Sequence, residues 1–308
     1  PANRRKEIQN FVAGGLRDFS ISRVNVSWGL PVPGHPGHTF YVWFDALLGY
    51  LTALLDDGGA IDLDRLTRVG WPAQMQVIGK DILRFHAVYW PAMLMSAGVE
   101  LPKGWAVGGW LLVDGEKMAK STGNVVNPLD LIDTVGVDGF RYYVLADTTY
   151  GSDGDFSYDG LVARYNADLA NNLGNLMARV ATVVAKKCDG VGPAPRPDSP
   201  LADAAATAVA GATAGWDAVS PSRALDATWG LIRATNAHLE ANEPWKADPG
   251  AEVDAVMGDA LEALRIIAVL AHPAVPGTAA QIWERLGMPG DLADQRIPDA
   301  VSWGGYPG

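Results

Sequence analysis

Two lysines three residues apart, Lys117 and Lys120, lie in the stretch Asp114-Gly115-Glu116-Lys117-Met118-Ala119-Lys120-Ser121-Thr122-Gly123-Asn124. The apolar run Trp110-Leu111-Leu112-Val113 leads in, and a helix-start pattern, Asn127-Pro128-Leu129-Asp130, follows. Paired ammonium groups on a glycine-flanked loop suit a polyanion that is gripped during a reaction and then released, phosphates above all. The same short pattern also describes a solvated β-turn with surface lysines. A second set, Ile82, His86 and Trp90, is spaced by four, which puts an aliphatic, an imidazole and an indole on one helical face. Such a face is either core packing or the apolar wall of a small-ligand pocket with one polar handle.

The elements that must position these groups are readable. A helix end runs from Ile8 to Leu16, and Gly29 to Gly37 (GLPVPGHPG) is a Pro/Gly connection. Thr39 to Trp43 reads as a buried strand and Asp45 to Leu55 as the helix after it, ended by Gly58-Gly59. The same logic repeats: Gln74 to Gly79 is a strand, and a helix runs from Asp81 to about Ser96, kinked by Pro91. Strands and helices alternating over short turns predict parallel βαβ units, whose ligands sit beyond the carboxyl ends of the strands. Trp43-Phe44-Asp45 and Gly79-Lys80-Asp81 lie at two such ends. Short helices follow at Leu129 to Thr134 and Asp138 to Ala146, then an acidic glycine-rich turn, Gly151 to Asp155. Beyond it the pattern turns helical, with amphipathic helices expected at about 157–187, 201–219, 221–242, 251–272 and 276–287. The expected organisation is α/β over residues 1–155 and an all-α helical bundle over 156–308.

Composition bounds the function. The 308 residues and 48% hydrophobic content support one large or two medium domains with real cores. No apolar run approaches the roughly 20 residues of a membrane span, and nothing at the start reads as a signal peptide. The single cysteine, Cys188, excludes an internal disulfide or a cysteine-cluster zinc site, which fits a reducing cytoplasm. A net charge of −11 argues against indiscriminate nucleic-acid binding. The imbalance is concentrated in residues 151–308, with 11 basic against 20 acidic groups, so any RNA contact there rests on a few placed side chains.

Taken together, the motifs resemble a family. Lys117-Met118-Ala119-Lys120-Ser121 is similar to the Lys-Met-Ser-Lys-Ser signature of class I aminoacyl-tRNA synthetases, with Ala119 for the first serine. Tyr41-Val42-Trp43-Phe44-Asp45-Ala46 resembles the methionyl-tRNA synthetases in particular, as does Ile78-Gly79-Lys80-Asp81-Ile82 through Trp90-Pro91-Ala92. So do Asp18 to Arg23, Phe140-Arg141-Tyr142-Tyr143 and the closing Trp303-Gly304-Gly305. The matching segments span the chain in the family's order.

The resemblance implies ATP-dependent attachment of methionine to tRNA(Met) through methionyl-adenylate, with Mg2+-ATP as substrate and no zinc site in this chain. It implies the C-terminal half of a Rossmann-like parallel-sheet catalytic domain followed by a helical anticodon-binding domain, in a monomeric cytoplasmic ligase. Trp43, Ala46, Tyr50, Ile82, His86 and Trp90 would line the methionine side-chain pocket, and Arg23 would approach the amino-acid carboxylate. A thioether favours aromatic contact. Rejecting leucine by a methylene is worth only about 1–3 kcal/mol, so pocket shape must be tightly defined. Gly79 and Asp81 would approach the adenosine ribose, though Asp81 also stands where a helix N-cap belongs. Lys117, Lys120 and Ser121 would serve catalysis by stabilising charge on the triphosphate, Lys120 foremost.

In the helical half, Asn175, Arg179 and Trp245 match the family's anticodon readers. Asn175 and Arg179 share a helix face, and Trp245 follows Pro244 at a helix break. Capping or an inter-helix bond would equally account for Asn175, and core packing for Trp245. The chain departs from the family in lacking a His-Ile-Gly-His-type phosphate motif. It has Val107-Gly108-Gly109 where many relatives read Val-His-Gly, and Leu47 where some have proline. The expectation is therefore a part of a longer enzyme, inactive by itself. Rival readings are another class I synthetase for a hydrophobic amino acid, such as leucine or valine, and a non-catalytic tRNA-binding module.

Overall fold

The computed structural model describes residues 2–55, 63–113, 115–118 and 123–308. The chain divides into two compact units, residues 1–110 and 111–308. The composition shift near residue 155 falls inside the second unit, because three short strands belong with the helices.

In the first unit, α1 (Ala2–Ala13) precedes a two-stranded antiparallel pair, β1 (Ser22–Arg23) and β2 (Thr39–Phe40). The expected strand to Trp43 is cut short: the chain turns into helix α2 (Val42–Thr52) directly after Tyr41, which is extended. Helix α3 (Leu63–Arg68) leads to β3 (Gln76–Gly79), which pairs in parallel with β4 (Trp105–Gly108). The crossover between them, expected as one helix, is composite. It comprises a 3-10 turn (Lys80–Ile82), a π turn (Phe85–Tyr89) and helix α4 (Trp90–Ser96). Pro91 supplies the reason: it has no N–H to give the carbonyl one turn earlier and its ring crowds that carbonyl, so the turn before it widens. Leu47, Leu51, Leu66, Trp71, Trp90 and Leu94 form the core beneath α2 and α4.

The second unit opens with β5 (Leu111–Val113), antiparallel to β6 (Glu116–Lys117) and parallel to β7 (Gly154–Phe156). Between β6 and β7 runs α5 (Pro128–Asp147), capped by the Asn127 side chain on Leu129 N–H. Two short helices were expected here, and α5 is two helices meeting at a kink at Gly136, whose φ of 74° is open to glycine. Then come α6 (Tyr158–Arg164), a π-helical stretch (Tyr165–Gly174), α7 (Asn175–Lys187), α8 (Ala202–Asp217), α9 (Pro221–Asn242), α10 (Ala251–Ala271) and α11 (Pro276–Arg285). Helix α10 is buried along nearly its whole length and forms the axis of the bundle. Its Val253, Met257, Leu264, Ile267 and Leu270 share one core with Leu176 and Val180 of α7 and Trp229 and Ile232 of α9. Among the described residues no helix is long and apolar enough to cross a membrane.

Candidate functional site

Of the residues grouped by spacing or by resemblance in the first unit, Trp43, Tyr50, His86 and Trp90 meet in one aromatic array, whereas Ile82 packs against the cluster of Ile78, Leu83 and Val107. Trp43, Ala46 and Tyr50 lie along α2, while Ile82, His86 and Trp90 lie along the composite crossover. His86 is 2% exposed and uses both ring nitrogens. Its Nδ1 lies 3.0 Å from the Ile82 carbonyl, which can only accept, so Nδ1 carries a proton. Its Nε2 lies 2.8 Å from the Tyr50 hydroxyl, within hydrogen-bond distance. Burial raises the Tyr50 pKa, which keeps that hydroxyl protonated.

Around this pair the rings close. Trp43 meets His86 edge-on at 6.2 Å and Tyr50 meets it at 5.6 Å; Tyr50 and Trp90 are 6.1 Å apart. Trp90 is fully buried and meets Trp71 edge-on at 6.1 Å. Tyr50 is 38% exposed and forms the rim. Arg23 stands on β1 with its guanidinium 3.6 Å from the centre of the Tyr41 ring, and it donates to the carbonyls of Ser20 and Ser22. Tyr41 joins Phe19, which stacks on Tyr89 at 4.4 Å. Chemically the array offers apolar, polarizable surface with one half-buried hydroxyl–imidazole pair.

Gly79 ends β3. A Cβ there would stand 2.7 Å from Asp81 Oδ1, so any larger residue would displace that carboxylate. Asp81 is exposed and makes no cap bond at its helix start, which removes the capping explanation for it. The spacing argument missed Phe85, which stacks on Trp43 at 4.4 Å and 14°. Phe85 is three residues after Ile82, so i, i+3 spacing was the available signal.

In the second unit, Lys117 sits exposed on β6. Gly115, at φ 76°, makes the turn before it and donates to Asp155 Oδ1 at 3.0 Å; Asn124 Nδ2 reaches the Lys117 carbonyl at 3.3 Å. Lys120 and Ser121 lie outside the described residues. Among the described residues no cluster of three His, Cys, Asp or Glu side chains could hold a metal ion.

The bundle gathers its three singled-out residues at the ends of two helices. Asn175 opens α7, exposed, and Arg179 follows one turn later. The Arg179 guanidinium lies 5.8 Å from the centre of the Trp245 ring and 3.1 Å from Glu240 Oε1. Trp245 is 38% exposed, so it is not a core residue. Glu240, near the end of α9, carried no sequence signal; only the packing of α9 on α7 brings it to Arg179.

A family model described as tRNA synthetases class I (M) matches residues 1–181, and the chain belongs to that family. Among curated relatives, the methionine–tRNA ligase of Synechocystis sp. is 46% identical over 97% of this chain and 58% of its own length. The chloroplastic/mitochondrial methionine–tRNA ligase of Arabidopsis thaliana is 40% identical over 100% of the chain and 52% of its own length. The chain thus spans somewhat more than half the length of these relatives. Among solved structures, Mycobacterium tuberculosis methionyl-tRNA synthetase bound by methionyl-adenylate superposes with a TM-score of 0.87 at 41% identity. That match covers 98% of this chain and 60% of the other. The free form of the same synthetase matches with a TM-score of 0.84 at 39% identity, over 98% and 60%.

Proposed function

We propose that this chain carries the methionine-selecting, phosphate-gripping and anticodon-reading parts of a methionine–tRNA ligase. The observation that carries the reading is the Tyr50–His86 pair, a hydrogen-bonded hydroxyl and imidazole beside an otherwise aromatic array. A thioether side chain is long, unbranched and polarizable, and aromatic edges and faces attract its sulfur. Trp43, Ala46, Tyr50, Ile82, His86 and Trp90 would enclose that side chain, and Arg23 would face the amino-acid carboxylate. Gly79 and Asp81 would take the ribose of ATP, with a carboxylate accepting from its hydroxyls. Mg2+-ATP is a substrate in this reading.

Lys117, Lys120 and Ser121 would stabilise charge on the triphosphate as the methionine carboxylate attacks the α-phosphorus and pyrophosphate leaves. The products are methionyl-adenylate and pyrophosphate, and the tRNA then accepts the methionyl group. Residues 1–155 act as catalytic-domain sequence and 156–308 as the anticodon-binding part, in a monomer acting on tRNA(Met) in the cytoplasm. Asn175, Arg179 and Trp245 read bases by edge contacts and stacking. The 308 residues include no His-Ile-Gly-His-type motif, so the chain alone is not expected to form adenylate at the rate of its longer relatives.

The test is tryptophan-fluorescence titration of the chain with methionine and with leucine. Methionine binds more tightly, and Tyr50→Phe shrinks that preference by about 1 kcal/mol, the usual net worth of one hydrogen bond. Equal or tighter binding of leucine would reject methionine as the substrate.

A further inference from the structure

The stretch Tyr165–Gly174 is ten residues of π-helix placed immediately before α7, the helix that presents Asn175 and Arg179. Long π-helix is rare and must be held. Its last closure is made by the reading residue itself: the Asn175 N–H is shared between the Ala170 carbonyl, five residues back, and the Asn172 carbonyl, three residues back. An α-helix would use the carbonyls of Asp168 and Asn172 for bonds four residues ahead. Here one neighbouring helix adds a side-chain donor to each of them. Trp229 Nε1 donates to the Asp168 carbonyl at 3.2 Å, and Asn236 Nδ2 donates to the Asn172 carbonyl at 3.1 Å. Side-chain donors inserted into the helical ladder are a known cause of such departures.

The Asp168 carboxylate adds a second tie. It accepts from the Tyr142 hydroxyl at 2.9 Å and from Arg164 Nη1 at 3.3 Å, while the Tyr142 and Trp229 rings lie 4.3 Å apart. The far end of α9 carries Glu240, bonded to Arg179, and the turn after α9 carries Trp245. One helix therefore fixes both the register of α7 and the side chains that meet Arg179.

We propose that Trp229 and Asn236 are positioning residues that hold the Tyr165–Gly174 stretch in its π register and thereby set the helix face on which Asn175 and Arg179 meet RNA. This rests on the anticodon reading given above. A wider helix turns less per residue, so relaxation of the stretch to α would rotate α7 by on the order of a third of a turn or more. Asn175 and Arg179 would then leave the Trp245 side.

The test uses the full chain, an anticodon stem-loop RNA bearing the methionine triplet, and the same stem-loop with the triplet scrambled. Arg179→Ala and Trp245→Ala first establish the reading itself: each weakens binding of the matched RNA by about tenfold, and no loss in either rejects anticodon reading. Asn236→Leu, and Asn236→Leu with Trp229→Phe, then weaken the matched RNA several-fold, leave the scrambled one unchanged, and cost nothing further in an Arg179→Ala background. They also shift the backbone amide NMR signals of Asn175 and Arg179. Unchanged signals, or a loss additive with Arg179→Ala, overturn the register role even where anticodon reading stands. Should Trp229→Phe fail to fold, Asn236→Leu alone meets the same criteria, since its side chain is only partly buried.

Discussion

His238 is the second histidine whose surroundings do more than pack it. Its side chain is 9% exposed, and its Nε2 lies 3.8 Å from Asp259 Oδ2. Asp259, fully buried, is already taken by Arg196 through the backbone N–H at 3.0 Å and the guanidinium. Burial lowers the His238 pKa first; Asp259 pulls it up and Arg196 pushes it down. The folded protein therefore binds this proton less readily than the unfolded chain does. The stability tied to a neutral His238 is fully present above about pH 6.5 and is lost as pH falls through the depressed folded value. Thermal melts between pH 7 and pH 5 should show a decline that His238→Gln flattens. Identical slopes for the two proteins would show that the imidazole is protonated as easily folded as unfolded.

Helix α10 shows what an element can hide. Its sequence reads as an amphipathic helix at about 251–272, and the observed bounds are Ala251–Ala271, buried on nearly every face. The neighbouring helices were legible for the same reason, since period-3.6 apolar spacing and proline or glycine stops mark long helices well. The crossover after β3 was not, because Pro91 trades one regular helix for three short kinds. Nor was the use of Glu262 and Arg265, two of the three charged residues that α10 buries. Glu262 accepts from Arg265 Nε and Nη2 at 2.8 Å and from the backbone N–H groups of Gly304, Gly305 and Tyr306. Arg265 in turn donates to the carbonyls of Ala300 and Ser302. The closing Trp303-Gly304-Gly305, read from the sequence only as a family match, is thus tied to the bundle axis by ion-pair chemistry. Glu262→Gln leaves the Arg265 charge buried and unpaired, so a loss of about 3–5 kcal/mol is expected in urea melts. Replacing both by leucine, often harmless for a buried pair, should also destabilise here, because three N–H and two carbonyl groups of the tail lose their partners. A double variant as stable as the parent would show that the tail is held by something else.

At the scale of the whole chain the problem is charge. The protein is strongly acidic, with a sequence pI near 4.8, yet the proposed partner is a polyanion. A basic face that neutralised many phosphates would make affinity fall steeply with salt. The bundle instead offers one exposed indole and one arginine beside it, with Glu240 bonded to that arginine. Glu240 also blunts the pull of Arg179 on any phosphate and leaves stacking and edge contacts to carry recognition. Two consequences separate this from ordinary electrostatic binding. The logarithm of the affinity of the anticodon stem-loop should fall with the logarithm of salt at a slope of about −1, corresponding to one or two displaced counterions. Trp245→Ala should cost affinity at every salt concentration without changing that slope, because an indole releases no counterions. Filter-binding or fluorescence-anisotropy titrations from low to moderate salt measure both. A slope several times steeper, unchanged by the triplet sequence, would mean that the phosphate backbone and not the bases holds the RNA, and the roles given to Asn175, Arg179 and Trp245 would fall with it.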